Sequence, residues 1–414
     1  MRKANKKSKV NKKAKVKEKT KNESRIKKSR GHIIPDGIDK RFFFVVIFLV
    51  MFGVAMIFSA SYYWAMARNG SISFYLFRMI PYSVIAVVGM IIFARIDYHK
   101  LTSMYKPLYL MGVLLLAMVK YTPLGVAAHG AKRWLGVGGF TFQPAEMIKF
   151  ITIIVVAVII SKARRVSDFE VIAKVVMCVG VYLAFIMMQP NMSTVMTIAF
   201  TVAGMFFIAG LEMKWFIGLG SIGIAGAVYL ALSASYRLSR VASFLDPFHD
   251  PSGESFQVVQ SLLALGSGGL FGRGPGNSVQ KNLYLPEPHT DFIMAIIGEE
   301  LGFIGLVVLI MMFSYLIYRG FKIALEAPDK LGTLIASGII ILIGFQVIAN
   351  IAIVTSSMPA TGVGLPFISY GGTSIIFFCG GAGIMLNISR QTYLSDKKRM
   401  INNRELVEQG RRQF

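Results

Sequence analysis

The chain has 414 residues, 54% of them hydrophobic and only 16% charged, well short of the roughly 25% charged residues of an average soluble domain. That balance excludes an ordinary cytosolic enzyme. With a mean hydropathy of +0.58 and apolar runs of about 20 residues recurring along it, the chain reads as one all-α polytopic membrane bundle, not as two or three soluble domains.

The formal net charge of +24 points to nucleic acid until it is located. Residues Met1 to Arg30 hold 15 Lys and Arg against Glu18 and Glu23, a net +13. Residues 1–40 therefore read as a disordered cytoplasmic tail, too poor in apolar residues to fold and suited to anionic lipid headgroups. No aromatics are interleaved to stack bases, so nucleic acid is not expected as a partner. The start lacks the pattern of a cleaved signal peptide, and the first span serves as its own insertion signal. Cys178 and Cys379 sit inside apolar runs, and His32, His99, His129, His249 and His289 are scattered without ligand spacing. Neither a disulfide framework nor a dedicated metal site is expected.

Apolar runs broken by Gly, Pro and charge predict about ten helices. In chain order they are Phe42 to Tyr63, Leu76 to Ala94, Pro107 to Val119, Met147 to Ile160, Val171 to Met188, Met192 to Gly210, Trp215 to Ser233, Phe292 to Tyr318, Leu331 to Thr355 and Thr373 to Ile388. Alternate connections carry Arg95, Lys100 and Lys106, then Lys162, Arg164 and Arg165, Lys214, and Arg319, Lys322 and Lys330. Basic residues concentrate in short cytoplasmic loops, so both termini are expected inside. The membrane domain spans 41–392, with a cytoplasmic tail at 393–414. One long extracytoplasmic loop, about 234–290, separates helices seven and eight and is expected to be a partly helical cap.

Four polar stretches fall on the outer side in this topology, and ionisable groups at membrane depth are functional candidates. The first holds Lys132, Arg133 and Trp134, then Gln143-Pro144-Ala145-Glu146-Met147-Ile148-Lys149. Glu146 and Lys149 share a helix face and can pair, either to carry two charges into the bilayer together or to bind. Lys132 and Arg133 run against the inside bias and suit an anionic phosphate. The second, Gln189-Pro190-Asn191-Met192-Ser193-Thr194, reads best as a proline turn with Asn or Ser capping the next helix. The third lies in the long loop: Arg237, Arg240, Asp246, Asp250, Gln257 and Gln260, then a glycine-rich run from Leu265 to Gly276. Those glycines invite a phosphate cradle, but no Gly-Lys-Ser/Thr follows them. The fourth, Tyr284-Leu285-Pro286-Glu287-Pro288-His289-Thr290-Asp291, opens the eighth helix, and its prolines hold Asp291 at the outer mouth. Asp291 complements the helix dipole, worth about 1 kcal/mol, an incomplete account of an acid so placed. Glu299 and Glu300 follow deeper, where carboxylates need pairing, protonation or use. Ser369 and Tyr370, in an outward turn near the C-terminus, are expected to complete the same pocket.

Taken in order, Gln143-Pro144-Ala145-Glu146, Phe244-Leu245-Asp246-Pro247, Gln260-Ser261, Gly266-Ser267-Gly268-Gly269-Leu270-Phe271-Gly272, Gly276-Asn277-Ser278, Tyr284 to Phe292, Ile297-Gly298-Glu299-Glu300-Leu301-Gly302 and Leu365 to Gly372 resemble the signature of the SEDS family. These are the shape, elongation, division and sporulation proteins of bacteria. The likeness covers nearly all of the chain after the basic tail, and it is closer to the division and sporulation branch (FtsW and SpoVE type) than to the elongation branch (RodA type). Two positions depart: Asn191 stands where the family often has Asp, and Thr361 where some division-type members have Lys.

The resemblance implies a peptidoglycan glycosyltransferase that polymerises lipid II during cell division. It implies a class B penicillin-binding protein as transpeptidase partner, other division proteins and membrane lipids around it, and a place in the plasma membrane at the septum. Carried over by motif, Asp291 is the catalytic carboxylate, a general base on the acceptor 4-hydroxyl in an inverting displacement of undecaprenyl diphosphate. Lys132, Arg133, Arg237 and Arg240 are candidates for holding the diphosphate, with or without a divalent cation (Mg²⁺ or Mn²⁺). Glu146, Lys149, Gln257, Gln260, His289, Glu300, Ser369 and Tyr370 complete the expected substrate-binding set. A lipid II flippase or transporter is the main rival, although a carrier would place its charges near the midplane between repeated halves. A non-catalytic scaffold of the division machinery is the other.

Overall fold

A computed structural model describes residues 35–128, 131–137, 140–232, 244, 246–248, 253 and 255–410. Lys40–Asn69 (α1), Phe74–Arg95 (α2), Tyr98–Ser103 (α3) and Tyr105–Tyr121 (α4) come first. Three short strands follow, Gly125–Ala128 (β1), Ala131–Val137 (β2) and Phe140–Phe142 (β3). Then come Pro144–Lys162 (α5), Phe169–Met187 (α6), Met192–Ile208 (α7), Met213–Leu232 (α8), Phe256–Gly268 (α9), Ile293–Leu325 (α10), Lys330–Val354 (α11) and Gly372–Gly410 (α12).

Every predicted apolar segment lies on one of these helices. Among the described residues seven helices, α1, α2, α5, α6, α10, α11 and α12, are long and apolar enough to cross a membrane, and α7 is apolar but shorter. Large apolar side chains such as Phe44, Phe48, Met51, Phe77 and Phe303 are exposed on the flanks, where lipid takes the place of water as their solvent. The chain is a multi-pass membrane protein. Its centre is formed by α5 and α11, the most enclosed of the helices, with α2 packed along α12 on one side and α10 along α11 on the other.

Two features differ from the sequence expectation. The three strands form an antiparallel sheet in the order β1-β2-β3, with Gly125 opposite Leu135 and Leu135 opposite Phe142. Glycines interrupt this stretch too often for a helix, while its alternating apolar residues suit a pleated ribbon. The last helix also does not stop near Ile388 but runs through most of the segment expected as a tail. Arg237, Arg240 and Asp250 lie outside the described residues, as does the tail before Pro35.

The end of the bundle opposite the sheet is tied by side-chain caps. Asp39 accepts the Phe42 N–H at 3.0 Å, pairs with Arg319 of α10 and donates its own N–H to Ser389 of α12 at 2.8 Å. Asn387 of α12 accepts the Tyr98 N–H at 3.0 Å. His99 bridges Asp97 at 2.8 Å and Asp329, the N-cap of α11, at 2.9 Å. This is the end to which the loop charges assign the cytoplasm.

Candidate active site

At the sheet end, α10 is broken. Gly302 has φ 71° and ψ −171°, and a helix interrupted there leaves backbone groups without their usual partners. The glycine-rich run supplies them. Arg273 and Gly274 donate their N–H groups to the carbonyls of Glu299 and Glu300 at 2.9 and 3.0 Å, while Phe303 and Ile304 donate to Gly269 and Leu270 at 2.9 and 3.1 Å. A Cβ on Gly272 would lie 2.2 Å from the Glu300 carbonyl oxygen, so only glycine permits this docking. The run is therefore a backbone splint for α10.

The two buried acids finish the splint. Glu299 accepts the Val279 and Gln280 N–H groups at 2.9 and 3.2 Å and the hydroxyls of Ser267 and Ser278, with Arg273 at 3.7 Å. Glu300 pairs with the buried Lys281 at 2.8 Å and accepts the Ser59 hydroxyl of α1 at 2.6 Å. The Trp64 indole donates to the Leu285 carbonyl at 3.2 Å, so the approach to Asp291 is pinned to α1 as well.

Asp291 stands at the head of α10, partly exposed. Asn350, fully buried on α11, donates its amide to the carbonyl of Asp291 at 2.8 Å and to that of Val363 at 2.7 Å. Gly362, exposed and with φ 73°, lies against the carboxylate: a Cβ there would be 3.2 Å from Asp291 Oδ2. Glycine thus leaves room beside the acid.

His289, two residues before Asp291, has its ring centroid 4.3 Å from that of Tyr75 on α2 and 5.3 Å from that of Tyr370. Its carbonyl accepts the Tyr370 N–H at 2.8 Å. Burial, with the positive charge of Arg68 added, pushes the imidazole down to about 4, so the ring is neutral at neutral pH. Its Nδ1 is buried with no hydrogen-bond partner. Arg68, stacked on Trp64 at 4.3 Å, lies 3.9 Å from Glu287. Arg78 is stacked on Phe74 at 4.6 Å, with its positive charge close to Tyr370.

The expected site residues divide accordingly. His289 and Tyr370 come together, with Asp291 two residues further along the chain, while the Ser369 hydroxyl accepts the Leu365 N–H at 2.6 Å. Glu300 is held in the splint. On β2, Lys132 is exposed, while Arg133 turns to the carbonyls of Gln189 (3.2 Å) and Pro190. Asn191 caps α7 by accepting the Thr194 N–H at 3.3 Å. Glu146 and Lys149 pair at 2.8 Å at the head of α5, the ammonium 5.3 Å from the Phe378 ring of α12. Gln257 is exposed and Gln260 partly so on α9. Among the described residues no three His, Cys, Asp or Glu side chains converge. Sequence reasoning missed Arg68, Arg78, Tyr75 and Asn350. The two arginines carried a signal, since they too are basic residues on the side where few are expected.

An acid at the head of a broken helix in a membrane bundle, its carbonyl held by a buried amide and a glycine set against its carboxylate, fits a membrane-embedded enzyme. A model of the cell cycle protein family FtsW/RodA/SpoVE matches residues 39–394, and the chain belongs to that family. Stage V sporulation protein E of Bacillus subtilis (strain 168) is 41% identical over 84% of this chain and 95% of its own. A probable peptidoglycan glycosyltransferase FtsW of Geobacter sp. (strain M18) is 38% identical over 86% and 97%. Among solved structures, a chain from work on the structural coordination of polymerization and crosslinking by a peptidoglycan synthase complex matches with a TM-score of 0.72 and 28% identity, over 86% of this chain and 99% of its own. The rod shape determining protein RodA of Thermus thermophilus matches at 0.64 and 27%, over 86% and 98%.

Proposed function

We propose that this chain is a peptidoglycan glycosyltransferase that polymerises lipid II during cell division, with Asp291 as its general base. The observation that carries the reading is the room kept beside a fixed acid. Asp291 is anchored through its main chain, partly exposed and faced by Gly362, which suits the approach of a sugar hydroxyl.

In the reaction the acceptor 4-hydroxyl oxygen forms the new bond to the anomeric carbon of the donor and gives its proton to Asp291. The bond from that carbon to the diphosphate oxygen breaks, and the diphosphate leaves with the electron pair. One base at one face suits inversion by direct displacement. General-base help is worth about 10²–10⁴-fold, so charge stabilisation of the leaving group must supply much of the rest. Arg68 and Arg78 are suited to stabilising that charge, because their planar guanidinium groups match phosphate oxygens and are stiffened by the rings beneath them. Arg133 is engaged with main-chain carbonyls. Neutral His289 packs against Tyr75 and Tyr370 next to the acid in the chain.

The sheet end faces outward in this reading, with both termini in the cytoplasm and the protein at the division septum. A class B penicillin-binding protein is the crosslinking partner. The test is polymerisation of purified lipid II by the protein with its cognate transpeptidase, comparing wild type with Asp291→Ala at equal folded yield. Glycan strands from wild type and none from the variant are expected; strands from both would remove Asp291 from the chemistry.

A further inference from the structure

We infer that Asn350 is the positioning residue for the general base: one buried amide staples the head of α10 to the loop that carries Gly362, and so fixes the space beside Asp291. The inference rests on the glycosyltransferase reading. Asn350 is fully buried in α11, and both of its neighbours, the carbonyls of Asp291 at 2.8 Å and Val363 at 2.7 Å, can only accept. The atom between them must therefore be the amide nitrogen, and its two hydrogens serve two separate segments at once. Because those hydrogens diverge at a fixed angle in one plane, the distance between the segments is fixed with them.

The amide oxygen argues that this is the purpose of the side chain. Asn350 Oδ1 is buried with no hydrogen-bond partner, an arrangement natural proteins largely avoid. A residue that merely filled this place would be apolar; an amide with one end unsatisfied is kept for what its nitrogen does. Val363 is chain neighbour to Gly362, so holding one carbonyl sets how close Gly362 comes to Asp291 Oδ2. The anchor is firm, since Val347, Ala349 and Ile353 around Asn350 are buried in the core.

The test uses the full-length protein in lipid with lipid II as substrate, comparing wild type, Asn350→Ala and Asn350→Asp. Misplacing a catalytic group by about 1 Å can cost about 10²-fold. Both variants are expected to lose turnover on about that scale per folded molecule, with KM changed less than about threefold, as for a group that acts on the reacting geometry. Asn350→Asp keeps the shape but not the paired N–H donors, so its failure alongside Ala separates the staple from packing. Turnover retained by Asn350→Asp would overturn the inference, and so would equal losses in KM and turnover.

Hydrogen exchange of the same variants gives a readout that does not depend on activity. Segments 287–294 and 360–366 are expected to lose protection together, and loosening of only one overturns the inference. If wild type makes no polymer while both segments still loosen in the variants, the glycosyltransferase reading fails and the staple stands.

Discussion

Glu299 and Glu300 share one short stretch of chain with Asp291, yet their surroundings are opposed. Glu299 accepts two main-chain N–H groups and two hydroxyls, and Glu300 is closed against Lys281 and Ser59. Both are at most 1% exposed. Asp291 is anchored through its carbonyl, is partly exposed, and has a glycine where any other residue would crowd it. Glu299 and Glu300 are closed inside the protein by the groups that hold the splint, whereas Asp291 stands at a helix head where substrate can approach.

The largest effect is expected at Asp291. Asp291→Asn keeps the shape and removes the base, and lipid II polymerisation should fall by about 10²–10⁴-fold with the thermal midpoint unchanged. A variant that unfolded instead would put Asp291 with its neighbours in the scaffold. The opposite pattern is expected at the ion pair. Lys281→Met leaves a buried Glu300 without its countercharge, and removing one partner of a buried pair costs about 3–5 kcal/mol. Folded yield and thermal midpoint should drop sharply, and Glu300→Gln added to Lys281→Met should recover much of the loss. A Lys281→Met protein as stable as wild type but inactive would erase the distinction between the two kinds of acid.

A smaller effect sharpens the comparison from the substrate side. If Arg68 and Arg78 hold the diphosphate, Arg78→Ala and Arg68→Ala should each raise the KM for lipid II by about tenfold, the scale of one lost charge-assisted contact, and leave stability nearly untouched. Arg133→Ala should behave differently, because Arg133 joins β2 to the turn at Gln189 and Pro190. Its loss should appear in the thermal midpoint before it appears in KM. Identical KM shifts for Arg78→Ala and Arg133→Ala would return Arg133 to the substrate.

Much of this division was legible in the sequence and part was not, for physical reasons. The apolar segments announce helices because a bilayer leaves the backbone few alternatives. Asp291 stands out because two prolines and a short polar string deliver it to a helix head. The sequence also requires Glu299 and Glu300 to have partners, but those partners lie in a glycine-rich loop whose docking depends on the positive φ of Gly302, and no periodicity encodes that. Asn350 was invisible because an amide inside an apolar helix looks the same whether it staples two loops or packs idly. Arg68 and Arg78 were passed over because each sits at the edge of an apolar helix, where a basic residue usually marks an end. The small sheet escaped because glycine-broken stretches between spans read as loop.

The smallest effects belong to two histidines pushed in opposite directions, and they compare the two ends of the bundle. At the site, burial and Arg68 hold the His289 imidazole down to about 4 against an ordinary value of 6.5. The unfolded chain takes up a proton below pH 6.5 that the folded one refuses until about 4, so the contribution of His289 to stability is present above 6.5 and is lost as pH falls through that window. At the other end burial opposes charge on His99, but its hydrogen bonds to Asp97 and Asp329 outweigh that and raise its pKa. Its contribution is complete below 6.5 and disappears as pH rises through the higher folded value. Thermal midpoints measured across pH should therefore separate the two. His289→Phe should lessen the destabilisation between pH 6.5 and 4, and His99→Gln should lower the midpoint at pH 6 more than at pH 9. Parallel pH profiles for the two variants would mean that burial and the nearby charge of Arg68 do not keep the His289 ring neutral.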